Sequence, residues 1–487
     1  LALYVATMAP GVLWQDSGMY QYRIWQNDIE GNLGIALSHP LYHLIGIVFK
    51  YIPAGEFAWR VNLISAIFGA VTVANLFLLL RMAVGKVMPA IIAAATVGLS
   101  WTFWQHSAIA EDYTLYTAIF TAELIFVLKY ARTKEIRYLY WLGLFNGLSI
   151  ANHNWGFIAL ACYAVLFLVL LIRRDIGFGN LAVIVLLWIV GAAPYEYLII
   201  KNLIQTGDIA GTISSALVGS SYGGAVMNAS LTTRLVLENI LFIGYSFATI
   251  NIILFFVGLA VVYKVVKEKA FANLLIAVTV LFFVFAFRYT VPDRYAFFIP
   301  FYCLAGVFTG LGSSWFFYRF RGKVWYVLVG VFVLMVIPVY IYAPIIARQK
   351  NVDLGTRRQI PYRDEYAYFL RPWQMGNYGP RRFAGEALEA VVEDSVILAD
   401  GTTVYALWYV QRMDGIRPDV AILSGHASYD NPRPYPERAG FDELLAQRPV
   451  YVVSPVKGYC PQFILDNYDF EKAGTVYRVV EGQADAG

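Results

Sequence analysis

Charge is what this sequence has least of. Only 14% of its 487 residues are Asp, Glu, Lys or Arg, against about a quarter in an ordinary soluble domain. That scarcity excludes a surface built for water and implies solvation by lipid. The net charge of +4 is small, and the basic residues sit in short clusters between apolar runs. This argues against nucleic-acid binding and for orientation in a bilayer. Cysteine is scarce as well. Cys162 and Cys303 lie inside apolar runs and Cys460 stands alone near the C-terminus, so neither a disulfide framework nor a thiolate metal site is readable. The chain opens at Leu1 in an apolar stretch, with no Met and no basic leader region, and reads as a truncated first helix rather than a signal peptide.

What is present in quantity is hydrophobic sequence: 59% of residues, with a mean hydropathy of +0.57. Runs long enough to cross a hydrocarbon core of about 30 Å fall at 61–80, 87–105, 113–128, 138–152, 155–172, 181–200, 240–263, 270–287, 295–318 and 324–347. With the partial helix at 1–13, eleven spans are expected. Loop charge supports this count. If the first loop lies outside, the inside loops hold fourteen Lys/Arg: Arg81, Lys86, Lys129, Arg132, Lys134, Arg137, Arg173, Arg174, Lys264, Lys267, Lys269, Arg319, Arg321 and Lys323. The outside loops hold about six: Arg23, Lys50, Lys201, Arg234, Arg288 and Arg294. That is a positive-inside bias.

Two outside loops are long. In 14–59, Trp14, Tyr20, Tyr22, Trp25 and Trp59 are expected as interface anchors. The loop 201–239 carries Gly207, Gly211, Gly219 and Gly223-Gly224, and is expected to be irregular and mobile. After residue 347 the composition turns polar. Val396–Ala399, Val420–Leu423 and Val450–Val453 read as strands and Tyr405–Arg412 as a helix, which suggests a small α/β domain. The expected division is a membrane domain at 1–347 and an extracytoplasmic domain at 348–487.

With this orientation the unusual polar residues collect on one side. They are Asp16 and His39 in the first loop, Glu111 and Asp112, Asn152 and His153, Glu196 and Lys201, and Arg288, Asp293 and Arg294. Ionisable groups at membrane depth are expensive and suggest a functional site. Plainer roles compete at each position. Asp16 and the Glu111-Asp112 pair could cap helices, His39 could pack beside Pro40, His153 could sit at the interface, and the two arginines could snorkel or pair with Asp293.

Several stretches, taken in order, resemble a known family. They are Trp14-Gln15-Asp16-Ser17-Gly18, Ser38-His39-Pro40-Leu41-Tyr42, residues 59–66, Ala110-Glu111-Asp112-Tyr113, residues 147–154 and Pro292-Asp293-Arg294-Tyr295, with Leu407-Trp408-Tyr409 and Arg417-Pro418-Asp419-Val420 in the tail. Together they are similar to the GT-C superfamily of polyprenyl-phosphate-sugar glycosyltransferases, and most closely to its protein O-mannosyltransferase-like branch. The sequence departs from that pattern at Met19, Leu41, Asp112 and Asn154. These departures bear on the sugar and the acceptor more than on the reaction type.

The resemblance implies an α-helical polytopic fold with a C-terminal α/β domain. It also implies an inverting transfer of a sugar, mannose among the options, from a polyprenyl-phosphate donor to a protein or glycan hydroxyl on the extracytoplasmic face. Asp16 would be the base, with Glu111 beside it. His39, Asn152, His153 and Asp293 would bind substrate, and Lys201, Arg288 and Arg294 would meet the donor phosphate. No cofactor is required by the pattern. A divalent metal held by Asp16 and Glu111 is conceivable but not indicated, because no Asp-x-Asp pair appears there. A transporter or flippase would also explain many helices and buried charges, although no inverted repeat is visible. A receptor or scaffold acting through the tail is a further alternative, without a ligand motif to support it.

Overall fold

A computed structural model describes all residues except 220–222, 227, 292, 356–359, 426–436 and 482–487. Pro292 of the expected motif and the end of the expected C-terminal domain therefore lie outside the described residues. The chain is mostly helical. Among the described residues, six helical segments are long and apolar enough to cross a membrane: Phe57–Val84, Tyr113–Thr133, Phe178–Thr206, Lys269–Arg288, Ala296–Arg319 and Lys323–Gln349. Val87–Gly98, Gly156–Ile172 and Ile252–Val265 are shorter apolar helices.

Two expected spans are broken. The run 87–105 divides into Val87–Gly98 and Trp101–His106. The run 240–263 divides into Thr233–Ser246 and Ile252–Val265. Local polar chemistry accompanies both breaks. Ser100 turns its hydroxyl back to the Val97 carbonyl at 2.7 Å. Asn251, in the second gap, donates to the Val329 carbonyl of another helix at 3.1 Å. The number eleven therefore depends on counting interrupted segments as single crossings.

Both long loops contain helices among their described residues. Residues 14–59 contain the helices Gln15–Trp25 and Pro40–Phe49, and 201–239 contains Ile209–Leu217, capped by the Asp208 carboxylate. Trp14, Tyr20 and Tyr22 are not interface anchors. They are buried in a core shared with Phe383, Trp408 and Tyr409 from the C-terminal part, because helix Gln15–Trp25 is covered on that side by protein.

Small residues and buried polar groups bring the helices together. A Cβ on Gly147 would lie 2.2 Å from the Trp188 carbonyl oxygen, and one on Gly191 would lie 2.2 Å from that of Leu144. Helices Arg137–Asn152 and Phe178–Thr206 can approach this closely only because both positions are glycine. Glu123, in the middle of Tyr113–Thr133, accepts from Ser149 Oγ at 2.5 Å and Tyr163 Oη at 2.8 Å, which ties three helices together. Nearer the site, Gln21 Nε2 donates to Asn62 Oδ1 at 2.8 Å. Asn62 Nδ2 donates to the carbonyls of Ala9 and Gly11 at 3.0 and 3.1 Å. These amides hold the segment before Asp16 against Phe57–Val84.

The C-terminal part carries a five-stranded sheet. The strands are β1 (Val396–Ala399), β2 (Ala421–Ser424), β3 (Val450–Val452), β4 (Tyr468–Ala473) and β5 (Val476–Glu481), in the order β2-β1-β3-β5-β4. β2, β1 and β3 are parallel, with Val396 opposite both Ala421 and Val450; β5 and β4 are antiparallel. Helix Val404–Asp414 connects β1 to β2, the strand-helix-strand unit expected from sequence. The same helix packs on Gln15–Trp25, where Tyr22 and Trp408 stack at 5.5 Å. The Gln15 amide donates to the Thr402 carbonyl at 3.1 Å. The hydrophobic core is thus continuous across the expected boundary at 347/348.

Candidate active site

Asp16 lies in the first turn of Gln15–Trp25 and is exposed. An acid is favoured there by the helix dipole. The residue before it, Gln15, has φ 54°, in the left-handed region that side-chain-bearing residues seldom occupy. The next residues face inward. Ser17 Oγ donates to Glu111 Oε1 at 3.0 Å, and Tyr20 Oη donates to Asp112 Oδ1 at 3.4 Å. Glu111 is also held by its backbone, since its N–H donates to Ser65 Oγ at 3.0 Å and the Ser65 hydroxyl returns to its carbonyl at 2.9 Å.

Asp112 occupies the N-cap position of Tyr113–Thr133 but makes no capping hydrogen bond. Its carboxylate is committed elsewhere. His39 Nδ1 lies 3.0 Å from Asp112 Oδ2 and 2.8 Å from the Asn152 carbonyl. Asn152 Nδ2 donates to the Asp112 carbonyl at 3.0 Å, while its Oδ1 is buried with no hydrogen-bond partner among the described residues. His39 itself has φ 49°, so both Gln15 and His39 hold unusual backbone conformations beside the site. Such strain persists only where surrounding contacts enforce it. The ring of His153 lies 5.1 Å from that of His39 and 4.0 Å from that of Trp155. Its Nδ1 accepts from the Trp155 amide at 3.1 Å.

The protonation states diverge. Burial, then the charges of Asp16 and Asp112, hold the Glu111 carboxyl well above the usual range. Burial, then Asp16, pushes Asp293 up to about 7. Glu111 and Asp293 are therefore within electrostatic reach of Asp16 and of each other. Burial opposes charge on both His39 and Asp112, yet their mutual attraction prevails: His39 is raised and Asp112 lowered. Burial lowers His153 to about 3, so it is a neutral imidazole.

The expected cations are held elsewhere. Arg288 donates to the carbonyls of Val226 and Asn228 at 2.5 and 2.8 Å. Arg294 is buried between Glu238 and Asn239, with its guanidinium over Phe242 at 5.1 Å. Lys201 pairs with Glu30. The structure thus brings together Asp16, His39, Glu111, Asn152, His153 and Asp293, while Lys201, Arg288 and Arg294 have protein acceptors of their own. Ser17, Tyr20 and Ser65 join the site. All three lie in or beside the quoted motifs, although the motifs alone do not reveal their contacts.

Among the described residues, one group could hold a metal ion. Ligand atoms of His39, Asp112 and His153 lie within 4.8 Å of one another, a set different from Asp16 and Glu111. His39 commits Nδ1 to Asp112 and Asn152, so it would ligate through Nε2 as a neutral imidazole, its Nδ1–H still held by those oxygens.

Residues 36–175 match the family model described as the Protein O-mannosyl-transferase TMEM260 N-terminal domain. That stretch contains His39, Glu111, Asp112, Asn152 and His153 and begins after Asp16. Protein O-mannosyl-transferase TMEM260 of Mus musculus is 27% identical over 181 residues, which is 36% of this chain and 26% of the relative. The match thus spans about a quarter of that relative's length. Among solved structures, the fold matches ArnT from Cupriavidus metallidurans, crystallised bound to undecaprenyl phosphate. The TM-score is 0.60 at 13% identity, over 100% of this chain and 97% of ArnT. An Archaeoglobus fulgidus oligosaccharyltransferase structure matches with a TM-score of 0.41 at 16% identity, over 86% of this chain and 59% of that one. The chain thus shares the fold of ArnT, and over residues 36–175 it is similar to the N-terminal domain of protein O-mannosyl-transferases of the TMEM260 kind.

Proposed function

We propose that this protein is a membrane glycosyltransferase that moves a sugar, mannose by analogy with its mouse relative, from a polyprenyl-phosphate donor to a hydroxyl of a protein or glycan. The observation that carries this reading is the carboxylate cluster. Glu111 is buried and Asp293 half-buried, and both carboxyls are raised toward the protonated form, whereas Asp16 is exposed at a helix start. When like charges crowd, the solvated member keeps its charge most easily, which makes Asp16 the base. The acceptor O–H gives its proton to Asp16, and its oxygen forms the new bond to the anomeric carbon. The bond from that carbon to the phosphate oxygen breaks, and the polyprenyl phosphate leaves with the electron pair. A single displacement inverts the anomeric centre. Glu111, still protonated, can hydrogen-bond a sugar oxygen. His39, Asn152, His153 and Asp293 form the sugar side of the pocket.

The donor's lipid tail has a candidate berth. A cavity of ≈ 360 Å³ opens at the break between Thr233–Ser246 and Ile252–Val265, lined among others by Ile243, Phe247, Phe255, Phe283, Phe301 and Val336. ArnT, with the same fold, binds undecaprenyl phosphate. Lys201, Arg288 and Arg294 would meet the phosphate only by exchanging their present partners. The positive-inside pattern of the loops supports an active site and C-terminal domain outside the cytoplasm.

The test is turnover of polyprenyl-phosphate-linked mannose by purified protein in nanodiscs, given the extracytoplasmic protein and glycan fraction of its host. Release of polyprenyl phosphate with inverted product is expected. Intact donor, or movement of donor between leaflets without cleavage, would overturn the proposal, and the second outcome would favour a flippase.

A further inference from the structure

Beside the carboxylate cluster lies a second cavity, of ≈ 340 Å³, at the low end of small-molecule sites. Trp14, Arg363, Tyr368, Arg371, Trp373 and Gln374 are among its lining residues. Its wall belongs mainly to the segment after the last membrane helix, but it adjoins the reaction centre. Trp14 stands two residues before Asp16. Arg363 Nη2 donates to the Gln15 side chain at 3.1 Å. Tyr368 is within electrostatic reach of both Asp16 and Glu111. Gln374 is fixed by its amide, which donates to the Thr7 carbonyl at 2.8 Å, and by its side chain, which donates to the Tyr368 carbonyl at 3.1 Å.

The charges in this cavity leave a remainder. Arg363 faces Glu365 at 3.0 Å, and Asp364 is paired with Arg348. Arg371 makes no close ion pair among the described residues, its charge acting only at longer range on the Asp364 carboxylate, and its buried Nε has no hydrogen-bond acceptor there. A buried guanidinium donor without an acceptor is costly unless a ligand supplies one. The indole and phenol rings around it offer flat apolar faces, and the amides offer hydrogen bonds. That combination suits a pyranose, while the Nε–H of Arg371, left without an acceptor, asks for an anion on it. The site also adjoins the proposed lipid berth. Tyr245 Oη donates to the carbonyl of Leu370, the neighbour of Arg371, at 2.7 Å, and the same helix lines the apolar cavity with Ile243 and Ser246.

We infer that this cavity is a subsite for a sugar bearing a negative charge, with Arg371 binding the anion and Trp14, Tyr368 and Trp373 contacting the ring. Its place beside the chemistry rests on Asp16 being the reaction centre. The anionic sugar has two sources: the phosphate-linked headgroup of the donor, or an acidic acceptor.

The experiment uses the full chain in nanodiscs and reads tryptophan fluorescence on titration with mannose 1-phosphate, methyl α-mannoside and polyprenyl-phosphate-linked mannose. Mannose 1-phosphate should quench, and methyl α-mannoside should bind far more weakly. Arg371→Gln should weaken mannose 1-phosphate about ten- to a hundredfold, the range of one charge-assisted hydrogen bond, with Arg371→Lys recovering part of the loss. Competition by the lipid-linked sugar assigns the subsite to the donor. Binding of mannose 1-phosphate without such competition assigns it to an acidic acceptor. Equal affinity for the neutral glycoside, or unchanged binding in a folded Arg371→Gln protein, overturns the inference. Asp16→Asn separates the two proposals, since it should stop turnover and leave this binding intact. Arg371-dependent binding in a protein without turnover would leave the subsite standing while the transferase reading falls.

Discussion

His39 and Asp112 form a buried ion pair, Nδ1 to Oδ2 at 3.0 Å, between the start of Pro40–Phe49 and the start of Tyr113–Thr133. The two residues are far apart in sequence, and through Asn152 they also hold the end of Arg137–Asn152. The pair is therefore the knot that brings three polar segments to one place. Removing one partner from a buried pair leaves a stranded charge and costs about 3–5 kcal/mol. Asp112→Asn should lower stability by about that amount, as measured by thermal melting in detergent. A melt indistinguishable from wild type would mean the pair is not formed.

The same pair predicts a pH dependence. His39 is raised above its ordinary 6.5, so its contribution is full below 6.5 and is lost as pH rises through the higher folded value. Asp112 is lowered below 3.8, so its contribution is full above 3.8 and is lost as pH falls through the lower folded value. The pair is most stabilising between about pH 3.8 and 6.5. Melts of wild type and His39→Gln should converge on the alkaline side, and an equal gap at every pH would contradict this.

Asp16→Asn should leave the fold unchanged, because Asp16 is exposed. It should reduce transfer by about two to four powers of ten, the scale of general-base loss. Glu111→Gln, which replaces a protonated acid by a neutral amide, should cost much less at neutral pH. Near-normal turnover in Asp16→Asn would remove it from the role of base.

Asp293 keeps its proton up to about 7, against 3.8 ordinarily. The folded state therefore binds this proton more tightly than the unfolded state. Stability from this group is full below about 3.8, declines as pH rises, and levels off above about 7. Asp293→Asn should melt higher than wild type at pH 8 and show no such decline, which a pH series of melts can check. A lower melt at pH 8 would show the carboxylate to be stabilising instead.

The contact of Tyr22 with Trp408 joins the Asp16 helix to the C-terminal part. Trp408→Ala should cost about 3–5 kcal/mol, as large aromatic truncations do, and should disturb turnover through the position of that helix. If the tail lies outside the cytoplasm, protease added to sealed cells should cleave within 348–487. Cleavage only after permeabilisation would reverse the orientation.

Much of this protein is determined by sequence alone. Apolar runs with basic short loops specify a helical membrane protein, because lipid leaves the backbone few other solutions. The short motifs that carry Asp16, His39, Glu111, Asn152, His153 and Asp293 mark a candidate site, since ionisable residues at membrane depth stand out against an apolar background. β1, β2 and β3 were legible because they are largely buried apolar runs. β4 and β5 were not, because their outward faces carry charges such as Asp469, Glu471 and Arg478.

Only the tertiary structure decided the pairings. It joined His39 to Asp112 and turned Arg288, Arg294 and Lys201 toward protein acceptors. It also set Arg363 and Arg371 in a cavity beside Asp16, although that segment lies more than 340 residues away in the chain. Which carboxylate gives up its proton was likewise undecided in sequence. That depends on burial and on neighbouring charge, and both are properties of residues brought together from separate helices.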